Sequence, residues 1–338
     1  MKQFVKITSV IFFSFLLILA FSCNKGEKAN VNNGDLSSEN VVSENTEVKE
    51  EPFDPAINVV SYSSFADSWG AGEMIIDGFT EKENIDVNLI NAGSSSELVS
   101  YIKSNYNKGK IDVVVGLTDD YLTDEMRSYL TIIRPFDYSY YAFLIANNSK
   151  MKAPTSLSDL LKDEYKKQFI LIDPRTSVVG LGLLYWTKTV YPDTWRDWWK
   201  KATENALTVA SSWSEAYGLF QNGEAPIVLS YTTSPLYDLE NGDEPYARSL
   251  DFTDGHIRAD EYMAIVNNTS NMTNARKFIR FMLSPDAQRL LSRTNVMFPG
   301  VKDAYPRAFE LQAEPTKVLE KDTTDSGTLL DEWTKAVI

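Results

Sequence analysis

Hydrophobic and polar positions change rhythm several times along the chain. Val10 to Phe21 is an almost unbroken apolar run, interrupted by Ser14 and preceded by Lys2 and Lys6. It is too short to span a bilayer comfortably and has the layout of a signal peptide, a basic start before an apolar core. Asn24 to Ala56 is rich in Asn, Glu and Ser, with Phe53 its one aromatic residue. Such a segment buries too little apolar surface to offset its chain entropy, so an acidic, disordered tether is predicted over residues 23–56. From Ile57 the texture is that of a folded protein. Short apolar runs predict strands over Ile57–Tyr62, Ile85–Ile90 and Asp112–Gly116. Met74, Ile75 and Phe79 share one face of a helix predicted over Glu73–Lys82, and Leu98 and Ile102 do so over Ser95–Asn105.

This β-α-β-α-β series implies a parallel sheet covered by helices, whose ligands collect at the carboxyl ends of the strands. Tyr62, Gly93–Ser96 and Leu117–Asp120 all fall at or just beyond such ends. The theme then repeats. Strands are predicted over Tyr140–Ala146, Phe169–Ile172 and Ala225–Ser230, with helices over Ser156–Leu161 and from about Val179. Thr194–Lys200 reads as an aromatic-rich packing helix, and three more helices are predicted over Ala275–Leu283, Pro285–Leu291 and Leu329–Val337. A domain that begins, gives way to an inserted domain and then resumes accounts for this order. The expected fold is α/β with two lobes, residues 57–138 with 262–338 and residues 139–261. Each lobe is a mainly parallel sheet flanked by helices. Two hinge strands cross between them near Pro135–Ala142 and His256–Ile265, with a ligand cleft in between.

Charge and cysteine content narrow the chemistry. The 338 residues carry 33 Lys and Arg against 47 Asp and Glu, a formal charge of −14. That balance argues against nucleic acid as a partner, because phosphate contacts need a cationic face. One cysteine and one histidine exclude an internal disulfide framework, a Cys-rich metal site and a His-rich one. Any Ser/His or Cys/His catalytic pair would need His256, whose neighbours suggest a strand-edge or hinge residue instead. No cofactor and no enzymatic activity are expected. Cys23 follows Ala20-Phe21-Ser22 directly after the apolar run, where a bacterial lipoprotein carries its lipid. The expectation is a signal peptide over residues 1–22, cleavage before Cys23, lipidation there, and an extracytoplasmic monomer anchored to the membrane. Losing residues 1–22, with two lysines and no acid, takes the formal charge from −14 to −16.

Four segments place aromatic and hydroxyl side chains at loop positions: Tyr62–Gly70, Asp173–Ser177, Ser212–Tyr217 and Ser230–Tyr237. Thr176 and Ser177 precede a helix, so they serve either as an ordinary N-cap or as part of an anion site built from helix-start N–H groups. Ser94 and Ser95 present the same two readings. Tyr62, Trp69, Trp213, Tyr231 and Tyr237 are either core residues or the walls of a box that stacks on a flat ring and attracts a cation. Acid groups nearby, such as Asp119, Asp120 or Glu215, would favour a cationic ligand further.

At these segments the chain resembles the periplasmic thiamine-binding proteins of bacterial ABC importers, from about Val59 onward. Tyr62–Gly70 (YSSFADSWG) is similar to the family's YDSFxxDWG. Asp173–Ser177 with Gly180–Leu184 resembles DPRTSxxGLGLL, and Trp213–Phe220 (WSEAYGLF), Leu229–Pro235 (LSYTTSP) and Asp137-Tyr138 with Tyr140 match further motifs in the same order. The resemblance implies a two-lobed solute-binding protein that captures thiamine or a thiamine phosphate and delivers it to an ABC importer permease. It implies ligand contacts from Tyr62, Trp69, Trp213, Tyr231 and Tyr237, and places Ser177 near the phosphate. Two positions depart from the pattern. Val296 stands before Met297-Phe298-Pro299 where the family has a Trp. Gly93-Ser94-Ser95-Ser96 stands where it has an acidic pair, which takes a carboxylate from the expected ligand region. A ferric-ion or other cationic-solute carrier of the same fold is the alternative, although Tyr231 and Tyr237 are six residues apart rather than adjacent. Thiamine-degrading enzymes of this fold use a cysteine nucleophile, and Cys23 lies outside the folded part.

Overall fold

The structure, a computed structural model, describes residues 56–301, 304, 307–310 and 314–338. The signal segment, Cys23 and the tether through residue 55 lie outside the described residues. In chain order the strands are β1 (Ile57–Ser61), β2 (Val87–Asn91), β3 (Val113–Thr118), β4 (Leu130–Ala146), β5 (Phe169–Ile172), β6 (Thr208–Ala210), β7 (Ile227–Tyr231), β8 (Ala247–Ser249), β9 (His256–Val266), β10 (Phe298–Pro299) and β11 (Val318–Leu319). The helices are α1 (Ser63–Ala66), α2 (Gly72–Glu83), α3 (Ser95–Asn105), α4 (Asp124–Tyr129), α5 (Val178–Val190), α6 (Trp195–Asn205), α7 (Trp213–Gln221), α8 (Leu236–Glu240), α9 (Met272–Met282), α10 (Pro285–Thr294), α11 (Arg307–Glu310) and α12 (Ser326–Val337).

Two lobes share one continuous strand path, β2-β1-β3-β9-β4-β7-β5-β6. Within the first lobe β1 pairs in parallel with β2 and β3, and within the second β5 pairs in parallel with β6 and β7. The join is β4. Its first part, Leu130–Tyr140, runs antiparallel to β9, and its last part, Tyr141–Ile145, runs antiparallel to β7. β9 returns alongside β3 over Glu261–Ile265. Each lobe therefore has a mixed sheet, parallel at its centre and antiparallel where the chain crosses.

The first lobe's sheet is buried on both faces. Val59, Val113 and Val115 point into a core with Ile75 and Phe79 of α2 and Phe278 of α9. Val60, Val114 and Leu117 point the other way, onto Leu98 and Ile102 of α3. This is why β3 reads as an almost uninterrupted apolar run. In the second lobe α5 runs through the middle of the core, with every residue from Val178 to Thr187 buried. Gly182 is required there, since a Cβ would lie 2.1 Å from the Tyr141 ring.

Three features differ from the sequence-based expectation. β4 begins at Leu130 rather than Tyr140. Two bulges, between Thr131 and Arg134 and between Pro135 and Asp137, break its alternation, and Pro135 disguises it as a loop. The helix expected over Ser156–Leu161 is instead a pair of 3₁₀ turns, Asp159–Leu161 and Asp163–Tyr165. The Asp159 carboxylate accepts from Thr155 N–H at 2.8 Å and from its hydroxyl at 2.9 Å, a local pairing that competes with helix. The last helix was expected with the first lobe. It packs on the second, where Trp333 meets Trp199 edge-on at 5.5 Å and Leu329 joins the same core.

Among the described residues no helix is long and apolar enough to cross a membrane.

Candidate functional site

A cavity of about 420 Å³ opens where the strand ends of both lobes meet. All nine residues singled out from the sequence, Tyr62, Trp69, Ser94, Ser95, Thr176, Ser177, Trp213, Tyr231 and Tyr237, line it. They arrive from both lobes, on the segment after β1, around the starts of α3, α5 and α7, at the end of β7 and on α8.

The aromatic residues form two tiers. Trp213 stacks on Tyr217 at 4.9 Å and 22°, and its indole N–H donates to Ser230 Oγ at 2.8 Å. Tyr231 stacks on Tyr141 at 5.5 Å and 27°. These contacts fix both rings deep in the wall. Trp69 and Tyr237 are 52% and 47% exposed and sit at the mouth.

Three helices begin at the cavity, and each is capped by a serine. Ser94 Oγ accepts from Glu97 N–H at 3.3 Å, while the Glu97 carboxylate accepts from Ser94 N–H at 2.7 Å, a reciprocal capping box. Ser177 Oγ accepts from Val179 N–H at 3.3 Å and Ser212 Oγ from Glu215 N–H at 3.1 Å. Ser94 and Ser177 are therefore N-caps, and they also line the cavity. The two readings left open from the sequence do not exclude each other. A cap satisfies one helix-start N–H, and the remaining ones and the helix dipole still favour an anion nearby. Thr176 is held by its hydroxyl, which donates to Ser211 C=O at 2.6 Å.

The floor carries a carboxylate that sequence reasoning missed. Glu261 of β9 lines the cavity and is only 5% exposed. The Tyr62 hydroxyl reaches both its oxygens, at 3.0 and 2.9 Å. Directly across the β4–β9 ladder lies Asp137, 2% exposed. Asn295 Nδ2 donates to Asp137 Oδ2 at 2.7 Å and approaches Glu261 Oε2 at 3.5 Å. Burial pushes the Glu261 carboxyl up to about 7, against the hydrogen bonds from Tyr62 and Asn295. Burial, then the charge of Glu261, push Asp137 well above the ordinary carboxylate range. The same burial and the two acids raise the Tyr62 and Tyr231 phenols, so both rings stay neutral.

The acids picked out from the sequence lie elsewhere. Glu215 accepts from Ser211 N–H and Oγ at 2.8 and 2.6 Å, Asp120 pairs with Lys321 at 2.7 Å, and Asp119 does not line the cavity. The cavity thus keeps a carboxylate despite the serines at 94–96. Val296, in place of an aromatic, is part of the wall beside Met297. His256 sits fully buried where β9 begins. Its Nε2 accepts from Phe252 N–H at 2.8 Å, which leaves Nδ1–H to donate to Tyr141 C=O at 2.8 Å, so it ties the hinge strands together. Burial lowers its pKa. Among the described residues no three His, Cys, Asp or Glu side chains cluster closely enough to share a metal ion.

Residues 107–322 match the family described as bacterial extracellular solute-binding protein. The chain belongs to this family. Over 308 residues it is 33% identical to a thiamine-binding periplasmic protein of Salmonella typhimurium, covering 84% of this chain and 94% of that one. Identity and coverage are the same against the thiamine-binding periplasmic protein of Escherichia coli K12. A solved structure titled periplasmic thiamin binding protein superposes with a TM-score of 0.79 at 31% identity, over 85% of this chain and 98% of that one. The two-lobed architecture is thus shared with a solute-binding protein of known structure.

Proposed function

We propose that this solute-binding protein captures thiamine, or a thiamine phosphate ester, in the cavity between its lobes and hands it to an ABC importer permease. It acts outside the cytoplasm as a monomer held to the membrane by a lipid on Cys23, and it catalyses no reaction. Residues 57–138 with α9 and α10 form one lobe. Residues 139–261, joined by α12, form the other.

The observation that carries this reading is the meeting of three wall chemistries in one cavity. Thiamine joins a cationic thiazolium to a flat aminopyrimidine, and its esters add a phosphate. Tyr62, Trp69, Trp213, Tyr231 and Tyr237 offer π-faces for the two rings. Glu261 supplies the charge opposite to the thiazolium. Ser94, Ser95, Thr176 and Ser177 stand at helix starts suited to the phosphate. The thiamine-binding relatives support the same ligand. A ferric ion would need tyrosinates, and burial beside Glu261 and Asp137 pushes the Tyr231 phenol the opposite way.

Native mass spectrometry of protein stripped by unfolding and refolding tests the reading. Added thiamine or its monophosphate is expected to give a one-to-one complex. A folded protein that retains neither, but retains ferric ion, contradicts it.

A further inference from the structure

Asp137 and Glu261 face each other across the hinge ladder, both buried, yet no Lys or Arg reaches either carboxylate among the described residues. Tyr62, from the end of β1, donates to Glu261, and Asn295, after α10, donates to Asp137. Tyr231 of β7 is neutral. Asp260 of β9 adds negative charge but is itself paired with Arg258. One oxygen of Asp137, Oδ1, is buried without any partner.

Two ionised carboxylates facing each other in a buried site, with two neutral donors and no cation, are strongly unfavourable. One proton shared by the pair restores a single negative charge. A ligand bearing a fixed positive charge does the same.

Resting on the thiamine reading, we infer that the Asp137–Glu261 pair holds one proton when the cavity is empty and exchanges it for the ligand's cation on binding. The carboxyl O–H bond breaks, the proton passes to solvent, and the thiazolium takes its place beside Glu261. The net charge of the site is −1 before and after. Glu261 touches the ligand. Asp137 lies behind it and acts through it, as a positioning residue. The pair therefore selects permanent monocations over neutral analogues of the same shape.

Proton release is the signature of the exchange. Calorimetry of thiamine binding at pH 6 to the stripped protein, in two buffers of different ionisation enthalpy, counts released protons directly. The expected result is close to one proton released beyond that seen in Glu261→Gln, in which only the ligand's own titration remains. Affinity of the unaltered protein falls about tenfold from pH 8 to pH 6, as single-proton linkage about the Glu261 value of about 7 requires. Asp137→Asn serves as the second variant. It keeps the Glu261 carboxylate, and the pH dependence moves to lower pH. Equal proton release in the unaltered protein and Glu261→Gln, with thiamine bound by both, overturns the exchange and leaves the ligand assignment intact. No thiamine binding by the folded, unaltered protein overturns the ligand assignment and the exchange with it.

Discussion

Gly116 makes room for Tyr62. A Cβ at Gly116 would lie 2.0 Å from Cε1 of the Tyr62 ring, and the residue has φ +91°, a conformation that side-chain-bearing residues rarely adopt. The glycine sits at the bulge between Val115 and Leu117, where β3 shifts register against β9. The bulge lets the ring lie against the strand and its hydroxyl reach Glu261. Gly116→Ala is expected to destabilise the protein by about 1–3 kcal/mol, from backbone strain and ring displacement together. Thiamine affinity should fall as well, because the displaced ring intrudes on the cavity. Chemical denaturation and calorimetry check both. Unchanged values in each would show that the strand yields without cost.

Trp213 is an aromatic wall held by stacking on Tyr217 and by its indole N–H donating to Ser230. Trp213→Ala is expected to weaken thiamine binding by at least about 1 kcal/mol, the scale of a stacking and cation–π contact. Binding titrations read this directly, and undiminished affinity would remove Trp213 from the ligand contacts.

Ser177 caps α5 and lines the cavity, and its replacement separates a fold role from a ligand role. Ser177→Ala loses the cap on α5 and about 1 kcal/mol of stability. If the start of α5 also receives the phosphate, affinity for thiamine monophosphate should drop more than affinity for thiamine. An equal drop for both ligands would mean that the serine acts through the fold alone.

The acid pair makes a stability prediction with a definite sign. The Glu261 carboxyl is raised to about 7 in the folded state, above its ordinary value of 4.5. Its contribution to stability is therefore fully present below about pH 4.5 and is lost as pH rises through about 7. Glu261→Gln should melt at a higher temperature than the unaltered, ligand-free protein at pH 8, and the difference should shrink toward pH 5. His256 acts oppositely, since its lowered pKa removes stability from both proteins as pH falls below its ordinary value of 6.5. Comparing the two proteins at each pH cancels that contribution. A difference that does not depend on pH would show that Glu261 is ionised throughout.

Much of the site was legible because it lies on short segments with strong local signatures. Ser177 before the apolar run from Val178 reads as a helix start, and Ser95–Asn105 matches α3 residue for residue. Tyr62, Trp213, Tyr231 and Tyr237 stand where strands end or helices begin, and the fold brings those ends to one place. Glu261 and Asp137 gave no such signal. Asp137 follows Pro135 in a stretch that reads as a loop, and Glu261 follows Asp260 in a strand, where acids ordinarily face solvent. Only the register of β4 against β9 sets them side by side, and two bulges fix that register. The placement of α12 was hidden for a related reason. Its amphipathic face with Leu329 and Trp333 predicts a packed helix but not the surface it packs on.

Capture of thiamine or its phosphates in the cavity is open to direct measurement. Calorimetry on the purified protein, unfolded and refolded to strip any carried ligand, tests it most directly with thiamine, its monophosphate and its diphosphate. Sub-micromolar binding of at least one of the three is expected, with one molecule per chain. A protein that has regained its fold and binds none of them contradicts it.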